Sequence, residues 1–401
     1  MRTIFRYLAA ALMIAAAVST ADAKPTIKKT ANIKAGPYLQ AVTEDSFTVV
    51  WLTDMPSTGW VEIAPDDGSH FFKKSREKHY QSTLGKIVID TLHRVTIKGL
   101  EKGTTYRYRV MHTAVLTEPD DKRLLFGIPS GNNPFVQAPY TVKTLDPTAK
   151  TADFCVINDI HGKDDVFRDL MGSVKKDSLD FVLFDGDMLS AMDSEQQLLD
   201  GYLRSACKLF ASDVPFYNLR GNHECRGLFS YNHIKYFPTT TGEAYYMIRQ
   251  GPAAILMLDC GEDKPDDDSS YYGLMLSDQY REQEAAWLKE VIRSEEYKSA
   301  PVKIAVLHIP PSEGGWHGQV HIQKHLMPIL EEAGIDLMMS GHIHRYSFSP
   351  AGTRAKHFPV IINGADEKHI LHVTADGIEA KRVNRAGEVL QTYTFKAGAR
   401  K

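Results

Sequence analysis

Two regimes of hydrophobic patterning divide the chain. Between residue 33 and about residue 145, apolar positions recur in short alternating runs. They predict strands at Tyr38–Val42, Ser46–Thr53, Trp60–Ile63, Lys86–Ile89, His93–Ile97 and Tyr106–His112, closed by Tyr140–Thr144. Turn signals such as Asp66-Asp67-Gly68 and Glu101-Lys102-Gly103 separate these runs. From about residue 150 the pattern alternates between period two and the helical period. Strands are expected at Phe154–Asn158, Phe181–Phe184, Pro215–Leu219, Ala254–Leu258, Val302–Leu307 and Leu337–Met339. Helices are expected over Lys163–Lys176, Glu195–Leu209, Ser277–Ser294 and His321–Ala333. An extended β region, His357–Phe395, follows. The pattern therefore predicts an all-β sandwich over 24–147 and an α/β unit over 148–401.

The first residues fit neither regime. Arg2 and Arg6 precede an apolar run from Leu8 to Val18, and Ala21-Asp22-Ala23 follows it. A basic start, a short apolar stretch and an A-x-A site describe a secretory signal peptide cleaved after Ala23. The apolar run is too short to cross a bilayer, which takes about 20 residues. The expectation is a periplasmic or secreted protein with no membrane anchor after cleavage. Composition adds little at this point: 43% of the 401 residues are apolar, 24% charged, and the net charge is −3. That balance argues against a nucleic-acid partner, which would favour a basic chain. The 16 His against 4 Cys make a thiolate metal cluster improbable and leave a His/Asp/Asn site open.

Polar residues gather where the strands of the second unit end: Asn158-Asp159-Ile160-His161-Gly162, Asp185-Gly186-Asp187, Arg220-Gly221-Asn222-His223-Glu224, His308, and Gly341-His342-Ile343-His344. Open α/β sheets bind ligands beyond the carboxyl ends of their strands. Five strands therefore aim Asp, Asn and His at one rim. Such a mixed nitrogen and oxygen set suits Mn, Fe or Zn. The spacing of two in Asp159-x-His161 and His342-x-His344 predicts that each pair points to the same side. The neighbouring glycines allow sharp turns and close backbone approach. Asp185 and Glu224 are expected to support the ligands. Arg220, Trp316 and His317 are candidate substrate contacts. The other His, His321 and His325 among them, are expected to be ordinary packed residues.

The ordered set D-x-H, G-D, G-N-H-E, H, G-H-x-H resembles the calcineurin-like dinuclear metallophosphoesterase family. The resemblance implies a four-layer αββα sandwich holding two divalent or mixed-valence metal ions. It implies Asp159, His161 and His344 on one metal, Asn222, His308 and His342 on the other, and Asp187 bridging both. It further implies a metal-bridging hydroxide as nucleophile, with His223 beside the metals assisting the leaving group. In the first unit, the order Leu100, Gly103, Thr104, Tyr106 resembles the tyrosine corner of immunoglobulin-like and fibronectin type III sandwiches. A sandwich of that kind ahead of this α/β unit resembles purple acid phosphatase architecture. Two positions depart from it. Those enzymes carry D-x-G where His161 stands here, and a metal-binding Tyr where Ser190 stands. The phenolate that gives the purple colour is missing. The expected activity is hydrolysis of a small-molecule phosphate monoester. A phosphodiesterase or nucleotide hydrolase on the same site is the alternative, and a surface- or carbohydrate-binding protein a more distant one.

Overall fold

The computed structural model describes residues 29–117, 123–174, 178–311 and 315–398. The expected signal segment lies outside them. The first unit is antiparallel and all-β: β1 (Ile33–Gln40), β2 (Ser46–Pro65), β3 (Ile89–Lys98), β4 (Thr105–Leu116) and β5 (Tyr140–Lys143). Where two strands were expected, β2 runs unbroken for 20 residues. Its first part pairs with β1 and β3, its second with β4, and the register shifts between Leu52 and Ser57. Pro56 lies in that shift and has no N–H for a ladder, so the polar segment is absorbed as an irregularity that redirects the strand. Trp51, fully buried, stacks on His93 at 4.9 Å between ring centroids. The Tyr106 hydroxyl accepts the Glu101 backbone N–H at 3.0 Å, as a tyrosine corner does.

Buried hydroxyls tie this unit to the next. Tyr108 donates to the Ser212 carbonyl at 2.6 Å, Tyr38 to that of Tyr236 at 2.9 Å, and Tyr217 donates back to that of Val42 at 2.7 Å. A buried donor left unpaired would cost about 1–3 kcal/mol, so these contacts fix how the sandwich braces the strand that carries Tyr217.

The second unit holds two mixed sheets. In chain order its strands are β6 (Thr151–Ile157), β7 (Phe181–Asp185), β8 (Phe216–Leu219), β9 (Tyr246–Gln250), β10 (Ala253–Leu258), β11 (Val302–Leu307), β12 (Leu337–Ser340), β13 (Ser347–Ser349), β14 (Val360–Ile362), β15 (Glu367–Thr374), β16 (Gly377–Asn384) and β17 (Val389–Lys396). One sheet has the order β8-β7-β6-β15-β16-β17, the other β9-β10-β11-β12-β14-β13. Period two sorts the side chains. Phe154 and Val156 of β6 meet Ile255 and Met257 of β10 between the sheets. Cys155 and Ile157 face outward onto Phe167 and Leu170 of α1 (Asp164–Met171) and onto a helical run over 195–211. Leu256 and Leu258 face outward onto α2 (Ser277–Val291), α3 (His317–His325) and α4 (Met327–Ala333). The result is four layers, helix–sheet–sheet–helix. Strands buried on both faces read as continuous apolar runs, which explains their sequences. The helix expected over His321–Ala333 is instead two, broken at Leu326. Pro328, at the start of α4, cannot continue a preceding helix. The four cysteines are free thiols, Cys155 buried in mid-strand.

Candidate metal centre

Five parallel strands, β6, β7, β8, β11 and β12, end on the same rim, and every expected ligand sits just past one of them. Strand periodicity is not what brings the paired ligands together. Asp159, His161, Asp187, His342 and His344 lie beyond the strands with φ of 53°, 52°, 52°, 70° and 60°. Left-handed backbone is costly for residues with a Cβ, about 1–3 kcal/mol each, and persists only where the surroundings impose it. Here the backbone is held by Asp159 N–H to the Gly186 carbonyl (3.1 Å), His161 N–H to that of Asp187 (3.0 Å) and Gly341 N–H to that of His308 (2.9 Å).

The side chains form two groups that share Asp187. In the first, the ligand atoms of Asp159, His161, Asp187 and His344 all lie within 4.8 Å of one another. His344 Nε2 is 3.2 Å from Asp159 Oδ1 and 3.1 Å from His161 Nε2. In the second, Asp187, His308 and His342 do the same. His308 Nε2 is 3.1 Å from Asp187 Oδ2, and His342 Nδ1 is 3.0 Å from Asn222 Oδ1. Asp159 Oδ1, Asp187 Oδ2, His308 Nε2 and His342 Nε2 are all buried and none has a hydrogen-bond partner. Orphaned lone pairs facing each other are expensive unless a cation takes them up. Carboxylates and imidazoles with no thiolate fit a Mn, Fe or Zn ion, so these residues could hold two.

Electrostatics point the same way. Burial by itself would raise the Asp159 carboxyl, but His161 and His344 hold it well below the usual range. Burial and the neighbouring His308 push His342 down to about 4, the neutral form a metal requires. Asp187 and Asp159 overcome burial and raise His308 well above the ordinary imidazole value, so the site draws positive charge between its carboxylates. Burial pushes Asp185 well up, and both its carboxyl oxygens lack partners.

Outer contacts set the inner ones. The buried Glu224 carboxylate accepts backbone N–H groups from Asp187 (2.8 Å), Leu189 (3.0 Å) and Gly221 (2.8 Å), clamping two rim loops together. His308 donates Nδ1–H to the Asp185 carbonyl at 2.6 Å, which turns Nε2 inward. His223 donates Nδ1–H to the Ser190 carbonyl at 2.7 Å, and its Nε2 stands 3.8 Å from Asp187 Oδ2, beside the ligand groups.

Three further expected residues scatter. Trp316, 54% of its surface exposed in the rim loop, packs edge-on to His342 at 4.8 Å between ring centroids. Arg220 is held in an ion pair with Asp259 at 2.7 Å, over the Tyr280 ring, and lines a cavity that Arg226 also borders. His317 is engaged by Asp278 at 2.8 Å on α2. A cation that sequence reasoning passed over, Arg226, stands against His223 at the rim. Its Nη1 is 3.4 Å from His223 Nε2, and Glu262 and Asp263 hold its guanidinium. The signal was its place three residues after His223, because the tight 3-10 turn His223–Cys225 brings such residues side by side. Asn158 was also missed as a support. Its amide contacts Asp159 Oδ2 and joins Asn363, just past β14 of the other sheet. A cavity of about 830 Å³ adjoins the rim through Arg226 and is walled by Leu228, Tyr231, Tyr271, Leu274, Leu276 and Tyr280.

The model of the calcineurin-like phosphoesterases matches residues 152–346, the stretch that bears every rim ligand. The chain carries a calcineurin-like phosphoesterase domain. Ahead of that phosphoesterase domain, residues 36–120 match the purple acid phosphatase N-terminal domain. Curated relatives agree. Purple acid phosphatase 22 of Arabidopsis thaliana is 25% identical over 329 residues, covering 77% of this chain and 65% of the relative. Purple acid phosphatase 21 of the same plant is 26% identical over 220 residues, covering 51% and 46%. The chain thus spans under two thirds of these relatives' own lengths. Among solved structures, the cold-active protein-tyrosine phosphatase of a psychrophilic Shewanella matches 90% of this chain and 99% of that one. Its identity is 10% and its TM-score 0.28, a likeness too loose to bear on mechanism.

Proposed function

We propose that this chain is an exported, metal-dependent phosphoesterase that hydrolyses phosphate monoesters. The observation that carries the proposal is the convergence of four partnerless buried ligand atoms, from Asp159, Asp187, His308 and His342, on one rim. Asp159, His161 and His344 would hold one metal, Asn222, His308 and His342 the other, and Asp187, whose carboxylate belongs to both groups, would join them. Two such ions, when bound, supply charge neutralisation at phosphorus and acidify water to a usable nucleophile near neutral pH. The remaining work falls to side chains. With Nδ1–H committed to Ser190, His223 would present Nε2 to the leaving oxygen; burial lowers its imidazole below the ordinary value, and the neighbouring Asp187 would help hold the proton it donates there. Arg226, fixed by Glu262, supplies positive charge on the same side. The apolar cavity beside Arg226 fits an alcohol with aromatic or aliphatic bulk. It also leaves room for the second substituent of a diester or nucleotide, the alternative reaction.

Export is supported by the basic start, apolar run and A-x-A site of residues 1–23. The units proposed are 24–147 and 148–401. The deciding experiment compares p-nitrophenyl phosphate with bis(p-nitrophenyl) phosphate. Faster turnover of the monoester is expected. Faster turnover of the diester reverses the assignment, and turnover of neither overturns it.

A further inference from the structure

Helix α3 carries His317, His321 and His325, one every fourth residue, so the three imidazoles project from one face. That face packs on α2, where Asp278 and Glu282 are likewise four residues apart. The ring centroids step down the helix, 6.0 Å from His317 to His321 and 4.2 Å from His321 to His325. The upper end is satisfied: the Asp278 carboxylate accepts from His317 Nε2 at 2.8 Å and from Arg281 Nη1 at 2.8 Å.

The lower end is not. His321, His325 and Glu282 each offer a ligand atom, and all three lie within 4.8 Å of one another. His325 Nε2 is 3.8 Å from Glu282 Oε1, too far for a hydrogen bond. His321 Nδ1 and His325 Nε2 are shielded from solvent and have no hydrogen-bond partner. Two partnerless imidazole nitrogens beside a carboxylate out of reach are a costly arrangement for an empty packing contact. A cation between them satisfies all three.

We propose that His321, His325 and Glu282 form a third cation site, separate from the rim, for a borderline-soft divalent ion such as Zn²⁺. Two His at i and i+4 on a helix place both imidazoles on one side of an ion. A carboxylate from a second helix completes three protein ligands and leaves the fourth tetrahedral position to water. Ligand atoms around Zn²⁺ sit about 3.4 Å apart, as bond lengths near 2.1 Å require. Closure from the present spacing asks chiefly for rotation of Glu282, whose side chain is 58% exposed. Two nitrogens and one oxygen select against Mg²⁺ and Ca²⁺, which take all-oxygen shells. The ion would pin α3 to α2, and α3 begins immediately after Trp316, the residue packed on His342.

The test is calorimetric titration of Zn²⁺ into the full chain after its rim metals are loaded and free metal is removed, with metal analysis at the end point. One further equivalent per chain is expected. Glu282→Gln should weaken that uptake about tenfold or more, since even outer contacts to metal ligands are worth that much. His325→Gln should abolish it, while both variants keep the rim metals and ester hydrolysis. No further uptake by the parent chain overturns the proposal, and so does uptake unchanged in both variants. Circular dichroism and hydrolysis report whether His325→Gln folds, and the exposed Glu282→Gln carries the test if it does not. Absence of ester hydrolysis in the parent would count against the rim assignment alone.

Discussion

A single methyl group on Gly221 should disable the rim while leaving the chain folded. An ideal Cβ there lies 2.1 Å from Asp187 Oδ1 and 2.5 Å from the Asp187 backbone nitrogen. Real Cβ atoms essentially never come within 3.0 Å of another heavy atom, so the carboxylate must retreat by about 0.9 Å. The nitrogen cannot swing away as a side chain can, because its N–H is bound to Glu224. Gly221 does not have a left-handed φ, so alanine meets no backbone penalty and the contact alone is tested. Overpacking of this kind costs about 1–3 kcal/mol of stability, within reach of a chain this size. A shift near 1 Å in a group that orients the reaction costs about a hundredfold in rate. The assay is kcat/KM on p-nitrophenyl phosphate, with metal content and thermal unfolding measured on the same sample. Gly68→Ala is the control. Its φ is +71° and nothing lies within 4 Å, so it should lose about 1 kcal/mol and no activity. Parent-like kcat/KM for Gly221→Ala would refute the packing of Gly221 on the shared carboxylate.

Other perturbations probe separate parts of the account. His223→Ala should keep its metals and lose rate, about 10²–10⁴-fold for esters with poor leaving groups and less for good ones; equal slowing of both argues against proton donation. The purified enzyme should show no visible charge-transfer band, because Ser190, whose hydroxyl is 3.3 Å from His161 Nδ1, stands where a phenolate would be needed; a purple preparation contradicts this. Burial pushes His93 of the sandwich down to about 4 from an ordinary 6.5. Its folded form therefore binds fewer protons than the unfolded one, so the stability it contributes is full above pH 6.5 and is lost as pH falls toward 4. Each unit is worth about 1.4 kcal/mol, so roughly 3 kcal/mol is at stake. Denaturant unfolding at pH 7.5 and pH 4.5 should show a smaller gap for His93→Gln than for the parent chain, and an equal gap contradicts the assignment.

Much of this site was legible because its residues follow strands. Apolar runs buried on both faces announced β6, β7, β8, β11 and β12, and polar residues after each marked the rim. The Asp159–His161 and His342–His344 pairs nevertheless do not owe their convergence to the period of a strand. Left-handed turns, held by backbone hydrogen bonds between neighbouring loops, bring them together, and no local pattern reports contacts made across loops. Arg220, two residues before Asn222, reads in the sequence as a candidate substrate contact. A strand end sends neighbours in different directions, and Asp259, just past the end of β10, pairs with Arg220. Arg226 reaches His223 because a 3-10 turn intervenes. His321 and His325 looked like packing residues because the carboxylate that completes their group lies on another helix. The single long β2 was read as two strands since a polar stretch with Pro56 looks like a turn whether or not the ladder resumes beyond it.

The central claim is that this rim works through two metal ions joined by Asp187. It is tested most directly by stripping the His325→Gln chain, which lacks the helix site, and restoring Mn²⁺ or Zn²⁺ stepwise while following p-nitrophenyl phosphate hydrolysis. Activity should vanish on stripping, return with added metal and level off at two equivalents per chain, with no return in the same chain carrying Asp187→Asn. Hydrolysis that survives stripping, or that saturates at one equivalent, would contradict it.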